Sequence, residues 1–569
     1  MSAKWLRLRT MKSNQLMAGL LLLTRLAGCS PEQPDQPQEP KALEPNIVLI
    51  VADDLGFSDI GSFGSEISTP SLDALAGQGL KLTNFHTAPT CGPTRAMLMT
   101  GIDPHLVGMA ANAASVRRIE ALQGRRGYDG RLNEDAVTVA TLLSDAGYQT
   151  YMTGKWDLGA VPGSRPVDRG FQKSFALVNA GASHFSDASG VLSIATEAIY
   201  FEDETQVASL PEDFYSSRFY TERILEYIES GDAQKPFFAY VAYTAPHWPL
   251  QVPDDWIGKY RGQYDEGWQA LSKKRLEKQL SLGVIDEAPD YVPAFGVLEW
   301  SSLPEEERVV RAREMEIYAG MIEYMDWQIG QLLARVKTLP SDRPTLVIFM
   351  SDNGPEGNAV DRIGGNSQWI AENFNNDLEN MGKKGSYLWT GPGWAQASAE
   401  PFRLYKSFVS EGGIRTPAII AYLGSNAAEA TTSNALSVAT DIPATILDAA
   451  GVPHPGTRYA GRDVFPIEGR SLLPIISGNA DSIHEGEAIG WELYGNRALI
   501  KDQWKGLLLW PPAGNGEWQL FDVASDPFER NNLAGQYPEK LDELVRDWHQ
   551  YADDKGIYLF EHDNGYGRY

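Results

Sequence analysis

The chain reads as an α/β protein: a large mixed, mostly parallel sheet sandwiched by helices, followed by a smaller C-terminal antiparallel sheet plus helix. Three observations predict it. The runs NIVLIVA (residues 46–52) and TLVIFM (residues 345–350) are rich in Ile and Val and lack polar alternation, as strands covered on both faces require. Strand-like and helix-like segments alternate along the first 350 residues, the pattern of parallel strands joined by helical crossovers. From Ala488 onward, short strand-like pieces (GWELYG, RALIKD, WKGLLLW, WQLFDV) are separated by turns, as a small antiparallel sheet demands.

In chain order, NIVLIVA ends in Asp53-Asp54. Residues 71–80 have helical spacing at Leu72, Leu75 and Leu80. Asn133 is the expected cap of a helix through Val139, Leu142 and Leu143 that stops at Gly147. A strand over 148–152 follows, then a helix near 220–228, a strand over 237–243 and a long amphipathic helix over 308–336. TLVIFM ends in Ser351-Asp352-Asn353-Gly354. Residues 354–404 are rich in Gly, Asn, Ser and Trp without clear periodicity, which reads as a rim or lid. Within that stretch Trp369, Trp389 and Trp394 are candidates for an aromatic wall or for core packing. A helix near 541–551 closes the chain.

Charge narrows the function classes. With 49 Lys+Arg against 75 Asp+Glu the formal charge is −26, which repels nucleic acid and acidic membrane surfaces. An anionic ligand therefore needs a site that gathers its own positive charge. Cys29 and Cys91 offer no disulfide framework. Lys4, Arg7, Arg9 and Lys12 precede an apolar stretch over 16–23 and then Leu26-Ala27-Gly28-Cys29, the layout of an export signal ending in a lipobox. The apolar run is too short to span a bilayer. The expected organisation is a signal over 1–29, a Pro-rich tether over 30–45, a large domain over 46–470 and a small antiparallel-sheet subdomain over 471–569. The expected product is an exported protein, periplasmic or an outer-membrane lipoprotein, with Cys29 the expected site of a lipid anchor.

Two acidic strand ends point to one place. In open α/β sheets the carboxyl ends of the strands line the ligand crevice, where Asp53, Asp54, Asp352 and Asn353 would converge. Four oxygen-bearing side chains suit a hard cation, Ca²⁺ before Zn²⁺, with Mg²⁺ the nearest competitor. Lys155, His247 and Lys406 occupy similar loop settings and are the candidate positive groups.

The run Cys91 to Gly101 (CGPTRAMLMTG) fits C-x-P-x-R-x-x-L-x-T-G, the sequence at which sulfatases have a cysteine oxidised to formylglycine. With VADDLGFSDIGSFG, FFAYVAYTAPHWPLQ, MDWQIGQLL, SDNGPEG, LYKSFVSEGGIRTP, EGRSLLPIISG and WQLFDVASDPFERNNLA, the chain resembles the sulfatases of the alkaline phosphatase superfamily. It is most similar to the bacterial calcium-dependent formylglycine arylsulfatases. The resemblance implies an alkaline phosphatase-like catalytic domain that cleaves a small sulfate ester to alcohol or phenol plus sulfate. It implies formylglycine at Cys91, made by a formylglycine-generating enzyme, and Ca²⁺ held by Asp53, Asp54, Asp352, Asn353 and the modified residue 91. By the same resemblance Arg95 steadies the formylglycine hydrate, and Lys155, His247 and Lys406 contact the sulfate. His247, helped by Lys406, protonates the leaving oxygen, and Asp352 takes the nucleophile's proton.

The chain departs from the family at Gly154-Lys155-Trp156-Asp157-Leu158-Gly159, where relatives carry GKWHLG. The family's His removes the proton whose loss expels sulfate. Here an Asp157 base, a substitute such as His184, or impaired turnover follows. A phosphonate or phosphodiester hydrolase of the same superfamily is the alternative, disfavoured by Asn353 where such enzymes tend to carry His. A lipid-anchored binding protein with a degenerate site is another.

Overall fold

The computed structural model describes residues 43–424 and 430–559; the expected signal, Cys29 and tether residues 30–42 lie outside them. Its centre is an eleven-stranded mixed sheet. The long strands are β1 (Asn46–Ala52), β2 (Leu80–His86), β3 (Gln149–Lys155), β4 (Lys173–Leu177), β5 (Phe237–Ala242), β6 (Thr345–Ser351) and β7 (Arg415–Leu423). They lie in the order β2-β7-β6-β1-β5-β3-β4, with short strands at both edges. β1 is parallel to β5 and β6, and β3 is parallel to β4 and β5, whereas β7 runs antiparallel to β6 and β2.

Every residue of β1, β5 and β6 is buried, which accounts for the absence of polar alternation in their sequences. Alternate side chains feed two cores. Val48 and Ile50 pack on one face with α2 (Ser216–Ser230) and α3 (Glu305–Val336), and Ile47, Leu49 and Val51 pack on the other with α1 (Cys91–Thr100).

Some local expectations are corrected. Leu80 does not end a helix: the helix is Pro70–Ala76, and Leu80 opens β2 opposite Ile420. Asn133 is not the cap of the helix Val139–Asp145. Thr138 performs that role, its hydroxyl accepting from the Thr141 N–H at 3.2 Å, while Asn133 closes a turn on Asp135. The 354–404 stretch holds the helices Asn366–Asn373 and Gly391–Ala399. β7 escaped the sequence reading because Pro417 interrupts its pattern; it sits at a register shift between Thr416 and Ala418, where the ladder is already broken.

At the C-terminal end, β8 (Ala488–Leu493), β9 (Asn496–Lys501), β10 (Trp504–Leu508) and β11 (Trp518–Asp522) form an antiparallel meander. Helix α4 (Pro538–Lys555) lays Leu544, Trp548 and Ala552 upon it. Lys505 of β10 is fully buried and pairs with Glu411 at 2.6 Å and Glu529 at 2.7 Å. Glu411 stands just before β7, so this sheet packs directly against the loop that carries Lys406.

Candidate active site

Strand direction gathers the site. The carboxyl ends of β1, β2, β3, β5 and β6 and the amino end of β7 share one edge of the sheet. Ala52 pairs with Ser351, so Asp53 and Asp352 leave neighbouring strands side by side. The Asp54 N–H donates to Asp352 Oδ1 at 3.2 Å. Gly154 pairs with Ala242, and a Cβ at Gly154 (φ +101°) would fall 1.9 Å from the Ala242 carbonyl oxygen. Only glycine allows that approach, and it delivers Lys155, whose Nζ donates to both Asp53 oxygens at 3.0 and 2.8 Å.

The loop after β5 brings His247, with Nε2 3.7 Å from Asp54 Oδ2. Lys406 reaches in ahead of β7, its Nζ donating to Asp54 Oδ1 and Oδ2 at 2.7 and 2.8 Å. A second close approach fixes this loop: a Cβ at Gly354 would lie 2.0 Å from the Gly412 oxygen. Cys91 opens α1, with Sγ 3.7 Å from Asp54 Oδ1. Amino-terminal helix N–H groups favour negative charge at that position. One turn on, Arg95 donates to Asp352 Oδ2 through Nε and Nη2 at 3.0 and 2.7 Å, and to the Lys155 carbonyl at 2.8 Å. The ten expected site residues, all buried, thus come from segments hundreds of residues apart in sequence.

The donor set fits a hard cation. Ligand atoms of Asp53, Asp54, Cys91 and His247 lie within 4.8 Å of one another. Asn353 donates its Nδ2 to Asp54 Oδ1 at 2.7 Å and to the Gly354 carbonyl at 2.8 Å, while its buried Oδ1 has no hydrogen-bond partner among the described residues. An orphaned carboxamide oxygen beside three carboxylates suits a hard cation.

Buried charge shapes the protonation of the site. Burial resists ionisation of Asp53, but Lys155, His247 and Arg95 outweigh it and hold its carboxyl below the usual range. Burial, reinforced by the Asp53 charge, pushes Asp352 up to about 7. Burial holds His247 down at about 4, with Lys406 and Lys155 adding to the effect against Asp54 and Asp53. His247 is therefore neutral when no anion is bound; its Nδ1 lies 2.5 Å from the Trp248 carbonyl and carries the hydrogen, leaving Nε2 facing the site. Burial, with Asp352 beside it, raises the Cys91 thiol well above its ordinary value, so the unmodified side chain is no thiolate.

Asp157 stands in the left-handed region (φ +54°), and its carbonyl oxygen lies 3.5 Å from where a Gly92 Cβ would be. Its buried Oδ2 has no partner among the described residues. Burial raises its carboxyl pKa against the pull of Lys155. His184 is engaged elsewhere. Its Nε2 lies 3.0 Å from the His247 carbonyl and must donate to it, and its Nδ1 lies 2.7 Å from Ser216 Oγ. Burial keeps it neutral, at about 4. It braces His247 through Nε2, and its accepting Nδ1 faces the Ser216 and Thr244 hydroxyls.

Trp394 belongs to the core, donating to the Arg311 carbonyl at 2.7 Å among Trp268 and Trp300. Trp369 and Trp389 remain half-buried around Tyr387. Tyr387 in turn meets Trp248, which stacks on His247 with centroids 4.6 Å apart. The sequence reading gave no role to Trp248, to Glu356, or to Asn112, whose Oδ1 accepts the Gly92 N–H at 3.1 Å. Glu356 was within reach of it, lying in the quoted SDNGPEG; Asn112 sits in a loop with no periodicity or motif to betray it.

Comparison with known proteins agrees with this geometry. The sulfatase family profile matches residues 45–452. An uncharacterized sulfatase of Schizosaccharomyces pombe is 40% identical over 532 residues, covering 91% of this chain and 95% of its own. The arylsulfatase of Klebsiella aerogenes is 37% identical over 434 residues, covering 76% of this chain and 92% of its own. Among solved structures, Ps i-CgsB in complex with k-i-k-neocarrahexaose shares the fold at 23% identity, with a TM-score of 0.65 over 91% of this chain and 95% of that one.

Proposed function

The chain belongs to the sulfatase family, and from that premise we propose how its residues divide the work. The protein is a sulfuric ester hydrolase that cleaves a sulfate monoester to an alcohol or phenol plus sulfate. One observation carries the assignment of roles: Cys91 opens a helix within a buried ring of Asp53, Asp54, Asp352, Asn353, Arg95, Lys155, His247 and Lys406. Formylglycine at residue 91 supplies an aldehyde hydrate as nucleophile, and a calcium ion held by Asp53, Asp54, Asp352 and Asn353 supplies positive charge beside it.

The chain's own groups do the rest. Lys155 binds and orients the sulfuryl oxygens, on which charge builds in the transition state, while Lys406 contacts the sulfate and helps His247 at the leaving oxygen. Arg95 clamps Asp352 by two hydrogen bonds and so fixes the acceptor of the nucleophile's proton. His247 presents Nε2 toward the leaving oxygen; the substrate's negative charge opposes the burial that keeps the ring neutral and favours its protonation. Asp157, with an unpaired oxygen, takes the last proton before sulfate departs. Burial of the whole ring excludes water and strengthens each of these interactions.

The test pairs a mass measurement of the Cys91 peptide with p-nitrophenyl sulfate turnover. Protein co-produced with a formylglycine-generating enzyme should show the mass change from CH₂SH to CHO and turn over; protein made without it should keep the thiol and be inactive. Chelation should abolish turnover and lower the melting temperature, because Asp53, Asp54 and Asp352 then lose their shared counter-charge. Calcium should restore both better than magnesium. Full activity in chelator would overturn the metal assignment.

We also propose export and anchoring through Cys29. Cys29→Ala should release the protein from the membrane fraction and abolish palmitate labelling; unchanged labelling would exclude the anchor.

A further inference from the structure

Glu356 is a buried carboxylate with no place in the roles above; it lies beside Lys406 and reaches His247 only through Trp248. Its Oε2 accepts from the Trp248 indole N–H at 3.3 Å and lies 3.6 Å from Lys406 Nζ. Trp248 is stacked on the His247 ring, 4.6 Å between centroids and 29° between planes, and its carbonyl oxygen meets His247 Nδ1 at 2.5 Å. The other carboxylate oxygen, Oε1, is held by the Asn358 backbone N–H at 2.8 Å and by the Asn358 side-chain amide. The Glu356 carbonyl is fixed separately, accepting from the Thr390 hydroxyl at 2.6 Å. Both oxygens and the backbone of this residue are thus committed, and the residue is 4% exposed.

A buried carboxylate is expensive to retain unless its charge has a use. Stiffening the 356–358 turn needs only Oε1, which an amide oxygen supplies equally well. Oε2 faces the reaction side, where Lys406 is shared between Asp54 at 2.7 Å and Glu356 at 3.6 Å. A second carboxylate offers the ammonium a resting point other than Asp54. The same carboxylate oxygen holds the indole that sets the plane of the imidazole.

We propose that Glu356 is a positioning residue for leaving-group departure, orienting Lys406 directly and His247 through the stacked Trp248. This rests on the assignment of His247 and Lys406 to the leaving oxygen. It predicts a specific kinetic signature. A leaving group of low pKa, such as p-nitrophenol, departs with little help, whereas an alkyl alcohol needs a well-placed proton. Loss of Glu356 should therefore cost alkyl sulfates more than aryl ones.

The experiment measures kcat/KM of formylglycine-containing, calcium-loaded enzyme across aryl sulfates of rising leaving-group pKa and one alkyl sulfate. Glu356→Gln keeps the shape and the Asn358 contacts but removes the charge. It should lower kcat/KM for the alkyl ester about tenfold more than for p-nitrophenyl sulfate, a steeper dependence on leaving-group pKa. A uniform drop across the series would mean that Glu356 only supports the fold, and would overturn the proposal. His247→Asn is the control for the underlying assignment. If it steepens the dependence and Glu356→Gln does not, the positioning role alone falls; if neither variant steepens it, the leaving-group assignment falls and the proposal with it. Should Glu356→Gln fail to fold, Glu356→Asp, which keeps the charge but withdraws it by one methylene, is read on the same series. An intermediate slope supports the role, and a wild-type slope overturns it.

Discussion

Cys91→Ala should abolish turnover of p-nitrophenyl sulfate, lowering kcat by about 10⁴-fold or more, the usual cost of removing an enzyme's nucleophile. The loss should come without unfolding. Cys91 Sγ is 3.7 Å from Asp54 Oδ1, a weak contact, and alanine removes a single buried heavy atom at a cost of about 1 kcal/mol. The ion pairs around it, Lys155 on Asp53, Lys406 on Asp54 and Arg95 on Asp352, do not involve the thiol and should persist. Cys91→Ser is the sharper variant. It leaves a hydroxyl in place but no aldehyde hydrate, so it should remain far below the modified enzyme. Retention of near-wild-type kcat in either variant would remove residue 91 from the chemistry and leave only a buried small side chain. Circular dichroism and the melting temperature, unchanged beside a lost kcat, distinguish a missing nucleophile from a missing fold.

The parts of this site that were legible in sequence are those where chemistry and local structure coincide. Asp53, Asp54, Asp352 and Asn353 follow apolar runs whose only stable home is a covered parallel strand, and such strands deliver their ends to one edge. Lys155 was legible for the same reason, following a strand; the close approach of Gly154 to Ala242 that delivers it was not. What stayed hidden depends on tertiary register. β7 was concealed by Pro417, and the C-terminal sheet's link to the Lys406 loop rests on one buried Lys505–Glu411–Glu529 group that no local pattern announces. His184, open as a substitute base on residue type alone, turns its ring nitrogens to the His247 carbonyl and the Ser216 hydroxyl, an arrangement no local pattern announces. The tryptophans divide similarly. Composition could not separate Trp394, which seals a core of indoles, from Trp369 and Trp389, which edge the aromatic cluster beside His247.

Asp157→Asn should convert a turning-over enzyme into one that releases about one equivalent of phenol per site in a burst and then slows about 10²- to 10³-fold, the range expected when a positioned base is lost. A buried carboxylate oxygen with no partner costs roughly 1–3 kcal/mol, and Asp157 adds a left-handed backbone to it. Such a side chain is retained where a proton arrives and leaves. The sign of the pH effect follows from the raised carboxyl pKa. The base must be ionised, so kcat is full above that pKa and falls as the pH drops through it, and the acid limb lies above an ordinary aspartate's 3.8. Asp157→His, which restores the residue of the GKWHLG motif, should keep turnover and move the acid limb up toward the imidazole range, near 6.5. Asp157→Asn should lose this limb altogether and, having exchanged an unpaired buried carboxylate for a neutral amide, should melt no lower than the parent. A pre-steady-state experiment with substrate in excess that shows no burst, with kcat unchanged in Asp157→Asn, would place the final proton transfer on another group and make Asp157 a structural substitution.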